Sequence, residues 1–241
     1  AISGSRDNTL KVWNLTTGEV LCTLTSHSDS VNSVAISPDG KRAISASWDN
    51  TLKVWNLATG AELFTLNGHS DWVNAVAIAP DGQRAISGSR DHTLKVWNLA
   101  TGKELFTLNG HSRSIYAVAI SLDGKLAISG SRDHTLKVWN LADGAESFTL
   151  NGHSNSVLAV DASFDAKQVI SGSDDNTLKV WNLATGKELF TLTGHSSSVY
   201  AVAIAADGKR AISGSYDNKV KVWNLETGAE LFTIHGHSSW V

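Results

Sequence analysis

Short apolar segments separated by turn residues recur along the whole chain. The segments at 73–79, 84–89, 93–99 and 104–110 illustrate them, and the first of these reads VNAVAIA. They are rich in aliphatic and aromatic residues, and no window shows the period of 3.6 residues that marks a helix. The pattern therefore predicts an all-β chain.

The connections between these segments are short and carry turn signals. Asp81 and Gly82 join the first two segments, Asp91 and His92 join the next two, and Gly102 precedes the last. Asp-Gly is a strong hairpin signal, and Asp and His tolerate the positive φ that tight turns require. Because short connections force neighbouring strands to pair antiparallel, the four segments predict a four-stranded antiparallel sheet.

This four-segment pattern repeats every 42 residues without a slip in register. Three residue types mark the period: Trp13, Trp55, Trp97, Trp139, Trp181 and Trp223; His27, His69, His111, His153, His195 and His237; and Asp7, Asp49, Asp91, Asp133, Asp175 and Asp217. A fixed period of this size is typical of repeat architectures. No linker or low-complexity segment interrupts it, so we expect one domain over residues 1–241.

The apolar residues do not alternate cleanly with polar ones. Val96 and Trp97 point to opposite faces of one predicted strand, and Leu105 and Phe106 do so in another. A sheet with one wet face would alternate apolar and polar residues, so both faces of each sheet should be covered by neighbouring sheets. Sheets stacked face to face around an axis form a β-propeller, whereas a β-helix would need parallel coils that the hairpin turns argue against.

The repeats are not all complete. The chain opens on a second strand (residues 1–5) and closes at the start of a first strand (residues 237–241). The sequence therefore predicts a fragment of a longer protein with five complete blades and one incomplete blade, in an open or imperfectly closed ring. An unpaired edge favours association with another copy of the chain.

The composition narrows the classes of function. Apolar residues make up 41% of the chain, charged residues 18%, and the formal net charge is −3, whereas dedicated nucleic-acid binders usually carry a basic excess. No apolar run is long enough to span a membrane, and the single cysteine, Cys22, excludes an internal disulfide and a cysteine-based zinc site. We expect no cofactor, no metal, no nucleic acid, no membrane contact and a cytoplasmic location.

A Gly-His pair, an Asp in a tight turn and a Trp near the end of the third strand characterise each repeat. Gly68-His69, Asp91 and Trp97-Asn98 are one such set, and the main departures are Asn98 as the second letter of the dipeptide and a Ser at the first Gly. In this combination the whole chain resembles the WD-repeat β-propeller family, in particular its highly regular arrays of bacterial type. The resemblance implies a scaffold for protein interactions that is not an enzyme.

The resemblance also implies a hydrogen-bonded network in each blade. The expected members are His69, Ser87, Asp91 and Trp97 in one repeat, and His111, Ser129, Asp133 and Trp139 in the next. Ser87 and Ser89 lie on the same face of their strand, so either could be the serine of the network. The family pattern favours Ser87. A Ser-His-Asp catalytic triad is the alternative, but six copies inside packed strands indicate a structural role.

Three positions vary between repeats whose other residues stay constant. They are the residue before the turn Asp, the third residue after the His and the fifth residue after the His. In the family these places rim the face where partners dock, and Trp, Tyr and Arg are enriched at interface hot spots. The predicted partner-binding residues are Arg6, Trp48, Trp72, Arg90, Arg113, Tyr116, Arg132, Tyr200, Tyr216 and Trp240.

Six of these residues, together with His92 and His134, are expected to form a basic and aromatic sector on neighbouring blades. Arg side chains bind carboxylates and phosphates through paired hydrogen bonds, so the sector predicts an acidic or phosphorylated protein segment as the partner. The alternatives are neutral drift, a small-ligand or glycan binder with one site per blade, and a regulatory or sensor region of a larger signalling protein. His92 and His134 have no suitably spaced carboxylate and make a poor metal site.

Overall fold

The computed structural model describes residues 1–239 and 241. Trp240, one of the predicted partner-binding residues, lies outside the described residues. The described chain consists of strands joined by turns, and no helix that could cross a membrane occurs in it. It divides into two compact units, Ala1–Gly110 and His111–Val241.

The first unit contains one three-stranded sheet and two four-stranded sheets, in which each strand pairs antiparallel with the next along the chain. Sheet 1 comprises β1 (Ile2–Gly4), β2 (Thr9–Trp13) and β3 (Val20–Thr25). Sheet 2 comprises β4 (Val31–Ile36), β5 (Arg42–Ser47), β6 (Leu52–Asn56) and β7 (Glu62–Leu66). Sheet 3 comprises β8 (Val73–Ile78), β9 (Arg84–Ser89), β10 (Thr93–Asn98) and β11 (Lys103–Asn109).

The second unit contains three four-stranded sheets with the same order of strands. Sheet 4 comprises β12 (Ile115–Ile120), β13 (Leu126–Ser131), β14 (Leu136–Asn140) and β15 (Glu146–Leu150). Sheet 5 comprises β16 (Val157–Ala162), β17 (Gln168–Ser173), β18 (Leu178–Asn182) and β19 (Lys187–Leu192). Sheet 6 comprises β20 (Val199–Ile204), β21 (Arg210–Ser215), β22 (Val220–Asn224) and β23 (Glu230–Ile234).

The predicted fold class is confirmed. The chain is all-β and is built from repeated four-stranded antiparallel sheets of the propeller-blade type, with sheet 1 reduced to three strands. The predicted segment 84–89 coincides with β9, and the other predicted strands of sheet 3 agree to within one residue at each end. His92 adopts φ 72° in the β9–β10 turn, in the left-handed region that the sequence pattern indicated.

Within each unit, neighbouring sheets pack through their first two strands. Gly172 on β17 faces Val199 of β20 so closely that an added Cβ would lie 2.7 Å from Val199 Cγ1. Gly130 stands in the same relation to Val157, at 2.7 Å, and Gly4 to Val31, at 2.6 Å. Glycine at this position therefore lets the first strand of one sheet approach the backbone of the second strand of the sheet before it.

Burial is not uniform across a sheet, which differs from the expectation that both faces are covered throughout. The side chains in the middle of the second and third strands are fully buried, and Ile86, Leu94 and Val96 illustrate this. The fourth strand is partly open, since Leu105 is 42% and Leu189 40% exposed. The physical reason is that the fourth strand is one edge of its sheet and that neighbouring sheets pack against the first and second strands instead.

Candidate functional site

Four side chains of sheet 3 form a continuous hydrogen-bonded network. His69 Nδ1 lies 2.8 Å from Asp91 Oδ2, and His69 Nε2 lies 2.8 Å from Ser87 Oγ. The indole Nε1 of Trp97 donates to the same Ser87 Oγ over 2.9 Å. A neutral imidazole satisfies all of these atoms, because it donates from Nδ1 to the carboxylate and accepts the Ser87 hydroxyl hydrogen at Nε2.

The network recurs with nearly constant geometry. The four further sets are His27, Ser45, Asp49 and Trp55; His111, Ser129, Asp133 and Trp139; His153, Ser171, Asp175 and Trp181; and His195, Ser213, Asp217 and Trp223. In sheet 1, Trp13 Nε1 donates to Ser3 Oγ over 2.8 Å. The loop before each first strand is thereby joined to the second and third strands of its sheet.

Ser87 and Ser89 have different roles, which the sequence alone left open. Ser87 takes part in the network, whereas the Ser89 hydroxyl donates to the carbonyl oxygen of Asp71 over 2.9 Å. Ser89 Oγ also accepts the backbone N–H of Asp91 at 3.0 Å. Ser89 therefore shapes the turn that carries Asp91, and Ser87 links the histidine to the tryptophan.

The burial of the network distinguishes a structural role from that of a Ser-His-Asp catalytic triad. Ser87 is 0% exposed, His69 is 7% exposed, and the side chain of Asp91 is 8% exposed. Burial raises the pKa of Asp91, but the hydrogen bonds that its carboxylate accepts from His69 and Thr93 outweigh burial and hold that pKa well below the usual range. The carboxylate is thus held ionised, and the serine hydroxyl is closed to any substrate.

A second recurring group escaped the sequence analysis. Lys95 is 8% exposed, and its Nζ lies 2.8 Å from Glu104 Oε2 and 2.8 Å from Thr107 Oγ1. The irregular register that pairs Trp97 with Glu104 brings the carboxylate onto the face that carries Lys95. Burial alone would raise the pKa of Glu104, but hydrogen bonds from Lys95 and Thr107 lower it.

The signal for this group was present in the sequence. Lysine recurs at the same step as the tryptophan, and glutamate follows nine residues later in five of the six repeats. The group also explains the Gly-His pair, since a Cβ at Gly68 would lie 3.1 Å from Glu104 Oε2 and 3.3 Å from Trp97 Cη2. Where the first pair has Ser26 instead, its hydroxyl donates to Glu62 Oε2 over 2.6 Å.

The variable positions lie at one end of the sheets on a constant backbone. The N–H of the residue before the turn aspartate donates to the carbonyl oxygen of the third residue after the histidine. The pairs are Trp48 with Ser30, Arg90 with Trp72, Arg132 with Ser114, Asp174 with Ser156 and Tyr216 with Ser198, at 2.8 to 3.0 Å. The side chains thus differ between sheets on a backbone frame that stays the same.

In the first unit, three of the predicted residues form a layered stack. The rings of Trp48 and Trp72 lie 4.1 Å apart between centroids and within 11° of parallel, and the Arg90 guanidinium carbon lies 4.7 Å from the Trp72 centroid. Arg90 Nε is also 3.8 Å from Asp71 Oδ2. Both indoles are half-buried, because each covers the other.

Other predicted residues of this surface are open to solvent. Arg6 in the first unit, and Arg113 and Arg132 in the second, are exposed, as is His134. Tyr116 is half-buried on β12. The structure places each of them at the variable end of its own sheet.

In the second unit, two of the predicted residues are close neighbours. Tyr200 and Tyr216 have ring centroids 5.5 Å apart with planes inclined by 40°, and they are 48% and 40% exposed. Asp174 lies at the corresponding end of sheet 5. At sheets 5 and 6 this end is therefore aromatic and acidic, whereas Arg113 and Arg132 make it basic at sheet 4, and the stack in the first unit is aromatic and basic.

One half-buried carboxylate is unique to sheet 5 and was missed. Asp161 occupies the place of Ala35, Ala77, Ala119 and Ala203 in the other sheets. Its carboxylate accepts the backbone N–H of Ile204 at 2.7 Å and that of Ala162 at 2.9 Å, while burial raises its pKa. The signal was a single departure from alanine in an otherwise constant row.

No metal site is evident in the described part of the chain. It holds no group of three or more His, Cys, Asp and Glu side chains placed to bind one ion. The chemistry that the end of the sheets offers is recognition, through guanidinium groups, aromatic faces and isolated carboxylates.

Comparison with known families finds one match that extends over most of the chain. The family described as WD domain, G-beta repeat, matches residues 18–56, 60–98, 102–140, 144–182 and 186–224. Each matched segment begins in the turn after the third strand of one sheet and ends at the third strand of the next sheet, which carries the tryptophan. Each segment therefore contains one complete network.

Individual relatives are similar over one repeat. The Lissencephaly-1 homolog of Caenorhabditis briggsae is 51% identical over 39 residues, which is 16% of this chain and 10% of that protein. The small ribosomal subunit protein RACK1y of Oryza sativa subsp. japonica is 51% identical over 39 residues, 16% of this chain and 12% of that protein. The matched stretch thus spans about a tenth of each of these relatives.

Proposed function

Because the chain belongs to the WD domain, G-beta repeat family, whose members are generally non-catalytic scaffolds for protein interaction, we propose that it binds an acidic or phosphorylated segment of a protein partner. The binding surface is the variable end of the sheets. The observation that carries the proposal is the Trp48–Trp72–Arg90 stack, which differs from its counterparts on an otherwise repeated frame.

The stack suits an anion for a physical reason. The Arg90 guanidinium carbon lies 4.7 Å from the Trp72 ring centroid, and the Arg90 side chain is still 47% exposed. An exposed guanidinium of this kind can donate two parallel hydrogen bonds to one carboxylate or phosphate. Arg6, Arg113 and Arg132 add exposed positive charge at the equivalent ends of their own sheets.

The alternative functions fit the geometry less well. An enzyme of the Ser-His-Asp type would need an accessible serine, and Ser87 is buried. A small-ligand or glycan binder with one site per blade would present equivalent ends, whereas the ends carry Trp48, Arg90, Asp174 or Tyr216 at one position. A regulatory or sensor role inside a larger signalling protein is compatible with the proposed binding.

The experiment measures the affinity of labelled peptides by fluorescence anisotropy. The probes are one acidic peptide with a phosphoserine and the same sequence with serine and neutral residues. Arg90→Glu should weaken binding of the phosphopeptide by about tenfold or more, equivalent to about 1.4 kcal/mol. Lys103→Glu makes the same charge change at an exposed position at the other end of sheet 3 and should leave the affinity unchanged.

The outcome that sinks the proposal is equal affinity of the wild-type chain for the two peptides, or an equal response of the two variants. Thermal unfolding of both variants serves as the control for folding.

We also propose that the chain self-associates through sheet 1. In the described residues β1 pairs with β2 alone and is the edge of a three-stranded sheet. Its backbone groups are available to another strand. Analytical ultracentrifugation over a range of concentrations tests this, and a monomer at all concentrations contradicts it.

A further inference from the structure

The tyrosines of the chain are not scattered. The sequence contains three, Tyr116, Tyr200 and Tyr216, and all three belong to the second unit. Tyr116 on β12 and Tyr200 on β20 occupy the same position, five residues after the histidine of their repeat, and Tyr216 directly follows β21. All three therefore lie at the variable end of the second unit.

The packing of sheets 5 and 6 brings Asp174 to the same place. Gly172 near the end of β17 lies against Val199 at the start of β20, which would be 2.7 Å from an added Cβ. Asp174 follows two residues after Gly172, and Tyr200 follows Val199 directly. The N–H of Asp174 donates to the carbonyl oxygen of Ser156 over 2.9 Å and fixes the backbone there.

The local electrostatics support this proximity. Burial raises the pKa of the Tyr200 hydroxyl, and the negative charge of Asp174 and the neighbouring Tyr216 and Tyr116 raise it further. These causes act in the same direction because each disfavours a second negative charge. The cluster therefore has a negative potential, and the faces of its aromatic rings add to that character.

The carboxylate of Asp174 is not neutralised within the described residues. The ion pairs of the second unit engage other carboxylates, such as Asp175 with His153 and Glu188 with Lys179, and none includes Asp174. It is half-buried beside aromatic rings, where an opposite charge is favoured. The site thus lacks a cation of its own.

We propose that Tyr200, Tyr216 and Asp174 bind a cationic side chain of a protein partner, with a lysine ammonium as the simplest occupant. A cation over the face of an aromatic ring and near a carboxylate is attracted by both. The proposal deepens the proposed function and rests on it, because it adds a basic residue to the partner that the variable ends of the sheets would bind.

The first unit provides the contrast that makes the proposal specific. The positions of Asp174, Tyr200 and Tyr216 are occupied there by Trp48, Asn74 and Arg90. The same frame therefore carries a positive charge at sheets 2 and 3 and a negative charge at sheets 5 and 6. A cation is expected to bind at sheets 5 and 6 and not at the stack of the first unit.

The experiment uses the 1–241 chain labelled with 3-fluorotyrosine. Because the sequence has three tyrosines, the 19F spectrum should contain three signals, two of them from this site. The probes are a short neutral peptide with one lysine and the same peptide with Nε-acetyl-lysine. The lysine peptide should shift the two signals of the site and reach saturation, and the acetylated peptide should leave them in place.

Two matched pairs of variants sharpen the result. Asp174→Asn should weaken binding of the lysine peptide about fivefold or more, whereas Asp165→Asn, the same charge change before β17, should leave it within about twofold. Tyr200→Leu, the residue at the equivalent position 158, should weaken binding, and Tyr200→Phe should preserve it because the ring face remains. Thermal unfolding of each variant confirms the fold.

The proposal is overturned if both peptides shift the signals equally, or if Asp174→Asn and Asp165→Asn behave alike. The phosphopeptide separates this result from the proposed function. Loss of phosphopeptide binding in Arg90→Glu with no response to lysine would remove the cation site alone. A saturable response to lysine with no phosphopeptide binding would support the cation site and remove the anion site.

Discussion

Arg90 and Asp91 are adjacent in the chain and belong to two different regions of the molecule. The side chain of Arg90 is 47% exposed and lies over Trp72, and its position holds Arg, Trp, Asp or Tyr in the other repeats. The side chain of Asp91 is 8% exposed, bonds to His69, and is Asp in every repeat. Both residues have a fixed backbone, through Arg90 N to Trp72 O and Asp91 N to Ser89 Oγ.

This difference separates the residues that stabilise the fold from the residues that we propose recognise a partner. The buried network completes hydrogen bonds that would be costly to leave unmade, so its members cannot change without a loss of stability. The neighbouring side chain takes part in none of these bonds and can change without disturbing them. Asp91, which stabilises the fold, and Arg90, which we propose contacts a partner, are thus adjacent in the chain.

The largest expected effect compares two tryptophans. Trp97→Ala should lower the free energy of unfolding of the first unit by about 3–5 kcal/mol, because it opens a cavity in a full core and leaves Ser87 without a donor. Trp48→Ala should cost less, since it loses the aromatic pair, worth about 0.5–1.5 kcal/mol, and only the part of the indole surface that is buried. Denaturant unfolding measures both, and equal losses would break the comparison.

The next effect concerns the serine at the centre of the network. Ser87→Ala leaves His69 Nε2 and Trp97 Nε1 without their shared partner in a buried site, and should cost about 1–3 kcal/mol. Ser70→Ala changes an exposed serine next to the network histidine and should stay within about 0.5 kcal/mol of the wild type. A Ser87→Ala variant as stable as Ser70→Ala would contradict the structural role.

The dependence of stability on pH should show two steps. Burial lowers the pKa of His27 and His195 below 6.5 in the folded chain, so the fold favours the neutral imidazole. The stability that this preference contributes is fully present above pH 6.5 and is lost as the pH falls towards the lower pKa of the folded state. The pKa of Asp91 is lowered from 3.8, so its contribution is present above that pH and is lost below it.

Denaturant midpoints measured across this range should fall in both windows. His92→Asn, at an exposed turn position that is Asn in other repeats, should leave the profile unchanged. A flat profile between neutral pH and the lower window would show that the buried imidazoles carry no such linkage.

The smallest expected effect is at the variable position itself. Arg90→Tyr installs the residue found at position 216 and should change the free energy of unfolding by no more than about 0.5 kcal/mol, while phosphopeptide binding is weakened. A thermal scan beside the anisotropy titration measures both properties. A large loss of stability here would show that the two regions are not separable.

Much of the fold could be predicted because the repeat multiplies weak local signals. One strand-like segment is ambiguous, but the spacing of Trp97, His69 and Asp91 by 42 residues from their counterparts fixes every sheet at once. The exposure of the fourth strand was less predictable. Leu105 is exposed because it lies in an edge strand that neighbouring sheets leave partly uncovered.

The candidate site was less accessible to sequence reasoning. Ser87 and Ser89 share a strand face, so periodicity cannot separate them, and only the histidine's position does. The pairing of Lys95 with Glu104 depends on an irregular register that no local pattern specifies. The stacking of Trp48 on Trp72 joins side chains from two sheets, and their rotamers depend on both.

The close fit of glycine to valine between neighbouring sheets has a consequence for how such a chain can change. Gly4 with Val31, Gly130 with Val157 and Gly172 with Val199 are the same contact made three times. Nothing in that contact distinguishes one neighbour from another, so the blades are interchangeable parts whose order is set by the polypeptide alone. Permuting two whole repeats should preserve the fold while it rearranges the charges at the variable end. Evolution or protein design could therefore change the variable end without changing the core.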